Sequence, residues 1–174
     1  MIRACVVFDT KYGNTEKVAR SLESGLKGAG LETECSSLDG VAVGSLGGYD
    51  LICIGGPTHN RSASETMKRF LESLLAAPLA GKRAFVFDTK RDSAFAGSAA
   101  KYIESVLRGR GMVIVGGRES AIIVGPELKK EKREFEGKDE WKEWRHSSEG
   151  LRDGEEARFE RIGTQIGQML QGTP

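Results

Sequence analysis

The chain has 174 residues and a formal net charge of +1, from 26 basic and 25 acidic side chains. This length supports a hydrophobic core without metal or disulfide staples, and the near-balance of charge argues against a strongly basic nucleic-acid binder and against an acidic disordered chain. Glycine occurs 23 times, about twice its average usage of roughly 7%, which indicates tight turns or close backbone approaches.

The cysteines and the amino terminus indicate a cytoplasmic protein. Cys5, Cys35 and Cys53 cannot all pair with one another, and Cys5 and Cys53 lie in apolar runs. Such cysteines are typical of buried thiols in a reducing compartment. The first residues, MIRACVVFD, lack the apolar core of a signal peptide, and no apolar run approaches the length of a membrane span. We therefore expect a soluble cytoplasmic protein without a membrane partner.

Short apolar runs alternate with amphipathic helical runs along the chain. The predicted strands cover residues 3–8, 31–37, 49–56, 83–87 and 112–124, the last interrupted at Gly116-Gly117. The predicted helices cover residues 15–29, 98–110 and 155–171. A further helix is predicted from an apolar stripe over residues 67–75, which follows a capping box of Ser62 and Glu65. Buried strands that alternate with helices predict a three-layer α/β fold around a parallel, doubly wound, five-stranded sheet.

A charged segment interrupts this alternation between the last strand and the last helix. From Glu127 to Glu156 the chain carries 8 of its basic and 11 of its acidic residues, which leaves a net charge of +4 on the rest. Phe135, Trp141 and Trp144 are interleaved with these charges. We interpret residues 127–152 as an insertion in a single domain that spans residues 1–174. The insertion is either a solvated loop or short helix with its aromatic side chains on the sheet, or a lid or partner-binding element.

Three polar loops follow the first, third and fourth predicted strands, where ligands bind in doubly wound sheets. The first loop, Thr10–Thr15 (TKYGNT), offers hydroxyls, an amide and backbone N–H groups at a helix start, a set that suits a phosphate. It matches neither a nucleotide-triphosphatase loop nor a dinucleotide fingerprint. The second loop, Gly55–Asn60 (GGPTHN), suits a flat heteroaromatic ligand. The third loop, Asp88–Gly97 (DTKRDSAFAG), is long and polar.

These loops resemble those of the flavodoxin-like FMN-binding family. The first loop matches the T/S-x-x-G-x-T phosphate loop of that family, and Gly55-Gly56-Pro57-Thr58 is close to its G-S/T-P-T loop. His59-Asn60 is similar to the flavodoxin modules of flavodiiron proteins, and the third loop is similar to that of single-domain flavodoxins. The resemblance covers the chain except for about residues 127–152. It implies the strand order 2-1-3-4-5 and FMN held without a covalent bond.

The resemblance also implies a role for each loop. The first loop would hold the FMN phosphate, the second would approach the isoalloxazine, and the third would lie against its pyrimidine side, where a cation stabilises a reduced anionic flavin. Asp9 and Asp88 are expected to cap turns beside this site. The residues assigned to the cofactor are Thr10, Lys11, Tyr12, Gly13, Asn14, Thr15, Pro57, Thr58, His59, Asn60, Asp88, Thr89, Lys90, Arg91, Phe95 and Gly97. No residue is assigned a catalytic or metal-binding role.

Two departures from the family bear on function. Family members often stack the flavin between two aromatic side chains, whereas the second loop here has His59 and the third has Phe95. Electron carriers of the family are acidic, whereas the part of this chain outside residues 127–156 has a net charge of +4. We expect an electron-transfer protein that serves redox partner proteins, not nucleic acid. A quinone-type NAD(P)H reductase and a flavin-binding interaction module are the alternatives. Trp141 or Trp144 is expected to lie beside the flavin, or to dock a partner or a second copy in a homodimer.

Overall fold

A computed structural model describes residues 1–125 and 137–172, and a six-stranded mixed sheet forms its central layer. The strands are β1 (Arg3–Phe8), β2 (Glu32–Ser37), β3 (Leu51–Pro57), β4 (Arg83–Arg91), β5 (Val113–Val124) and β6 (Gly150–Leu151). The helices are α1 (Asn14–Gly28), α2 (Glu65–Ser73), α3 (Ala99–Gly109), α4 (Lys138–Ser147) and α5 (Glu155–Leu170). Residues 127–136 of the charged insertion, with Phe135, lie outside the described residues.

The strand order is β2-β1-β3-β4-β5-β6, which contains the expected parallel order of the first five strands. The prediction of a five-stranded, wholly parallel sheet is wrong, because β6 adds an antiparallel edge. Its residues Gly150 and Leu151 pair with Val124 and Ile123 as the chain returns from α4. Two paired residues are too few to show the alternation by which a strand is recognised in a sequence.

Local details also differ from the sequence expectations. The strand β5 is continuous, and the pair Gly116-Gly117 lies where its register against β4 shifts between Ala84 and Val86. The helix α2 is capped by Ser64, whose hydroxyl accepts a hydrogen bond from Met67 N at 3.0 Å, and not by Ser62. The bulge therefore keeps the strand intact, and the cap lies two residues later than the capping-box pattern indicated.

Two apolar layers cover the two faces of the sheet. One is packed by α2 and α3, with Met67, Leu71 and Ile103 fully buried, and the other by α1 and α5, with Leu22 and Phe159 fully buried. Helices on both faces bury the central residues of β1, β3 and β4, so their carboxyl ends are fixed at one edge of the sheet. None of the helices in the described ranges is long and apolar enough to span a membrane.

Candidate functional site

Hydrogen bonds join the three polar loops at the carboxyl ends of β1, β3 and β4. The backbone N–H of Asp9 donates to Gly55 O at 2.9 Å, which ties the start of the first loop to the second. The backbone N–H of Thr58 donates to Thr89 O at 2.8 Å, and the hydroxyls of Thr15 and Thr89 lie 2.9 Å apart. The loops that the sequence placed together therefore form one connected rim.

The first loop leaves the amino terminus of α1 open to an anion. Gly13 has φ of 86°, a left-handed conformation that glycine adopts without steric cost, and its N–H donates to Thr10 Oγ1 at 3.0 Å. Within the described residues no side chain caps α1, and the same holds for α4 and α5, whereas Ser64 caps α2 and Ser98 caps α3. The first N–H groups of a helix have no partner within the helix, and the helix dipole there favours negative charge. This loop can therefore bind a phosphate.

The second loop ends in a tight two-residue turn. His59 and Ser62 exchange both backbone hydrogen bonds, at 2.8 and 2.9 Å, and the residues between them have positive φ, 46° at Asn60 and 66° at Arg61. This pattern is that of a type I′ turn, which prefers Asn followed by Gly. Arg61 occupies the position that favours glycine, at a cost of roughly 1–2 kcal/mol. Arg61 is not among the residues assigned from the sequence.

Asp88 holds the second and third loops together from below. It is fully buried, and its Oδ2 accepts hydrogen bonds from Ser98 Oγ at 2.7 Å, from Ala100 N at 3.0 Å and from Thr58 Oγ1 at 3.2 Å. Thr58 Oγ1 in turn accepts from Ala99 N at 3.0 Å. Asp9 plays the same part for α2, because its carboxylate accepts a short hydrogen bond from Ser64 Oγ. The two carboxylates thus anchor the residues that begin α2 and α3.

A cleft of about 270 Å³ opens between the second and third loops. Its lining residues are Thr58, His59, Asn60, Arg61, Lys90, Arg91, Ala96, Ile123, His146 and Glu149. A smaller cavity of about 40 Å³ adjoins it, because Ile123, His146 and Glu149 line both. The other residues of that cavity are Thr10, Lys11, Tyr12, Asn14, Thr15, Pro57 and Thr89. A wider, open depression of about 570 Å³ runs along α1 and α5, away from the second and third loops.

Four of the residues assigned from the sequence line neither cavity: Gly13, Asp88, Phe95 and Gly97. Gly13 shapes the first loop and Asp88 anchors the other two. The side chain of Phe95 is 78% exposed, so it stacks on nothing in the described structure. Gly97 has φ of 73°, and a β-carbon on it would lie 2.2 Å from Arg61 O. Gly97 therefore permits the close contact between the third loop and the turn of the second.

The charged insertion folds onto the rim through α4 and the residues after it. Tyr12 Oη donates to Glu143 at 3.0 Å, and the rings of Tyr12 and His146 stack with 6.2 Å between centroids. Asn14 Nδ2 donates to Glu149 O at 3.0 Å, and Arg91 Nε donates to Glu149 Oε1 at 2.8 Å. Neither His146 nor Glu149 is among the residues assigned from the sequence, because no local pattern marks contacts between distant parts of a chain.

The residues present fit FMN. An uncapped helix terminus with Thr10, Asn14 and Thr15 beside it suits a phosphate, and the adjoining cleft has the polar groups and open volume that a flat heteroaromatic ring requires. No cluster of three or more potential metal ligands occurs in the described part of the chain. The fold and rim together are those of an α/β protein with a site suited to a flavin mononucleotide at the carboxyl edge of its sheet.

Comparison with known proteins agrees with this class. The family model for flavodoxin matches residues 6–144, and the chain belongs to the flavodoxin family of FMN-binding electron-transfer proteins. A flavodoxin of Maridesulfovibrio salexigens is 29% identical over 121 residues, which are 67% of this chain and 83% of that protein. A flavodoxin of Clostridium saccharobutylicum is 29% identical over 118 residues, 67% of this chain and 74% of that protein.

Solved structures show the same fold. A flavodoxin from the domain Archaea superposes with a TM-score of 0.72 at 20% identity, over 98% of this chain and 99% of that one. The flavodiiron core of Synechocystis superposes with a TM-score of 0.69 at 17% identity, over 98% of this chain and 36% of that one. In the second comparison, this chain has the fold of one part of a larger protein.

Proposed function

We propose that the three loops form the FMN site, with the phosphate at the amino terminus of α1 and the isoalloxazine in the cleft between the second and third loops. The observation that carries this proposal is the uncapped start of α1, where Thr10, Asn14 and Thr15 converge. A dianionic phosphate gains charge-assisted hydrogen bonds from such N–H and hydroxyl donors. The hydroxyl of Thr15 is positioned by its hydrogen bond with Thr89 Oγ1, 2.9 Å away.

The second and third loops support the ring part of this proposal. Thr58, His59, Asn60, Lys90 and Arg91 line the cleft, and Pro57 lines the adjoining cavity. Asp88 fixes both loops from below, and Gly97 lets them meet closely. We therefore assign Asp88 and Gly97 to positioning the loops, and Phe95 to the outer face of the site.

Bound FMN supplies reversible one- and two-electron transfer. The chain's own residues bind and orient the cofactor and set the charge around it, so electron transfer requires no side chain that forms or breaks bonds. Electrons then pass to and from a redox partner protein. The buried, free thiols of Cys5 and Cys53 support a cytoplasmic location. A single domain over residues 1–174, and a homodimer through residues 127–152, remain parts of the proposal.

Two measurements test this function. Purified protein titrated with FMN should acquire the visible absorbance of a bound flavin with one equivalent per chain, and FAD should leave the spectrum unchanged. An interaction module without flavin would show no such absorbance. A reductase would consume NAD(P)H stoichiometrically with a quinone at catalytic protein concentrations, whereas an electron carrier would need a separate reductase to become reduced.

A further inference from the structure

The outer face of the proposed FMN site carries positive charge that nothing in the described structure neutralises. Arg61 of the second loop's turn and Lys90 of the third loop both line the cleft, and neither has an ion-pair partner among residues 1–125 and 137–172. The other cations of the rim are paired, Lys11 with Glu143 at 3.8 Å and Arg91 with Glu149. The exposed carboxylate of the third loop, Asp92, lies 3.6 Å from Arg152. Among the described residues of this face, Arg61 and Lys90 are therefore the cations without an ion-pair partner.

Arg61 is held in a conformation that disfavours its own residue type. Its φ is 66°, at the position of a type I′ turn that prefers glycine. Two backbone hydrogen bonds between His59 and Ser62 close the turn, and Arg61 O accepts a further one from Ser98 N at 3.3 Å, so the backbone is held in this conformation. Strained residues of this kind are concentrated at functional sites. The side chain of Arg61 makes no ion pair in the described structure, so its charge is available to a partner.

An exposed aromatic side chain lies on the same face. Phe95 is 78% exposed in the third loop, and the backbone of Gly97, two residues later, contacts that of Arg61. Arginine and aromatic residues are enriched in protein interfaces, where the aromatic ring fills a pocket and charges around it set the orientation of the partner. Arg61, Lys90 and Phe95 thus combine an apolar anchor with two cations beside the proposed flavin.

We propose that Arg61, Lys90 and Phe95 form the docking surface for an acidic redox protein. The partner has carboxylates around its redox centre and an apolar recess that accepts Phe95. This proposal rests on the proposed FMN site, because it names the partner class for electrons that leave the cleft. It is the opposite of the basic partner that an acidic electron carrier attracts.

The test is a nuclear magnetic resonance titration of the ¹⁵N-labelled, FMN-loaded protein. One arm uses a plant-type ferredoxin as an acidic redox protein, and the other uses cytochrome c as a basic one. We expect ferredoxin to shift the amide resonances of residues 59–62 and 90–96, and these shifts to weaken as salt is raised. Cytochrome c should leave those resonances in place.

Variants separate docking from folding. Arg61→Gln keeps the strained backbone but removes the charge, and should weaken ferredoxin binding by about three- to tenfold. Arg61→Gly should weaken binding equally while raising the unfolding temperature, a combination that a purely structural arginine would not produce. Lys82→Gln, at the opposite edge of the sheet, removes the same charge and should leave binding unchanged.

Several outcomes would overturn the proposal. Cytochrome c could shift the same resonances, or Arg61→Gln could bind ferredoxin as tightly as Lys82→Gln does. NADPH could also shift these resonances when ferredoxin does not. The last would indicate a nucleotide site and favour a reductase. Failure to bind FMN would instead contradict the proposed function. It would be recognised separately, because the FMN titration comes first and the amide shifts report on the chain with or without flavin.

Discussion

Arg91 in the third loop is tied to Glu149, a residue 58 positions later, by a hydrogen bond of 2.8 Å from Nε to Oε1. The side chain of Glu149 is only 6% exposed, and its backbone carbonyl accepts a further hydrogen bond from Asn14 in the first loop. The charge of Arg91 is therefore compensated within the chain. From the sequence we expected Lys90 and Arg91 to place positive charge beside the flavin, and the pairing with Glu149 reduces the share that Arg91 supplies.

Removing this compensation should change both the cofactor and the fold. In Glu149→Gln the guanidinium of Arg91 lacks its counter-ion, so the midpoint potential of the bound FMN should rise, and the free energy of unfolding should fall by about 1–3 kcal/mol. Redox titration and urea denaturation measure the two effects. Glu143→Gln on α4 is the control, since Glu143 is 64% exposed and faces Lys11. A potential that falls, or matches the control, would contradict this assignment.

The close contact between Gly97 and Arg61 predicts unequal costs for two similar substitutions. Gly81 and Gly97 both have positive φ, 78° and 73°, but a β-carbon meets nothing within 4 Å at Gly81 and lies 2.2 Å from Arg61 O at Gly97. Gly81→Ala should cost about 1–2 kcal/mol from backbone strain alone. Gly97→Ala should cost roughly 1–3 kcal/mol more and also weaken FMN binding. Equal losses in urea denaturation would show that the contact is unimportant.

The thiols should be inert near neutral pH. Burial raises the pKa of Cys5 to about 12, with the negative charge of Glu34 adding to the effect, and burial likewise raises the pKa of Cys35 to about 12. The pKa of Cys53 is also raised well above its usual value. Reaction with a thiol reagent at pH 8 should therefore be far slower in the native protein than in urea. Rapid modification of the native protein would contradict the burial of these groups.

The same pKa shifts predict the sign of the alkaline pH dependence. The folded state retains these thiol protons at a pH where the unfolded chain, with thiol pKa values near 9, has lost them. Their contribution to stability is thus complete below about pH 9 and is lost as pH rises from 9 towards 12. Urea denaturation at a series of pH values should show the free energy of unfolding decreasing over this range.

The parallel part of the fold could be predicted because local patterns encode it. Strands such as β3 are apolar on both faces, and the helices between them bring their carboxyl ends to one edge, where the three loops meet. The two-residue strand β6 has no such pattern. Ser62 fits a capping box in sequence, but its backbone is engaged with His59 in the turn, so Ser64 becomes the cap.

The rest of the site depends on contacts between distant residues. Glu149 reaches Asn14 across 135 positions, and no periodicity in a single sequence reports a contact of that range. Arg61 could not be predicted from the sequence either, because it stands out by its positive φ, which an arginine rarely adopts. The three loops could thus be predicted from the sequence. The residues that close the cleft and set its charge could be recognised only from the three-dimensional structure.

The most direct test of the FMN site compares the affinity of the protein for FMN with that for riboflavin, which differs only in lacking the phosphate. Fluorescence titration of both ligands measures the difference at the uncapped start of α1. Because charge-assisted hydrogen bonds at that position act on the phosphate alone, FMN should bind at least about 100-fold more tightly. Equal affinity, or tighter binding of riboflavin, would contradict a phosphate site in the first loop.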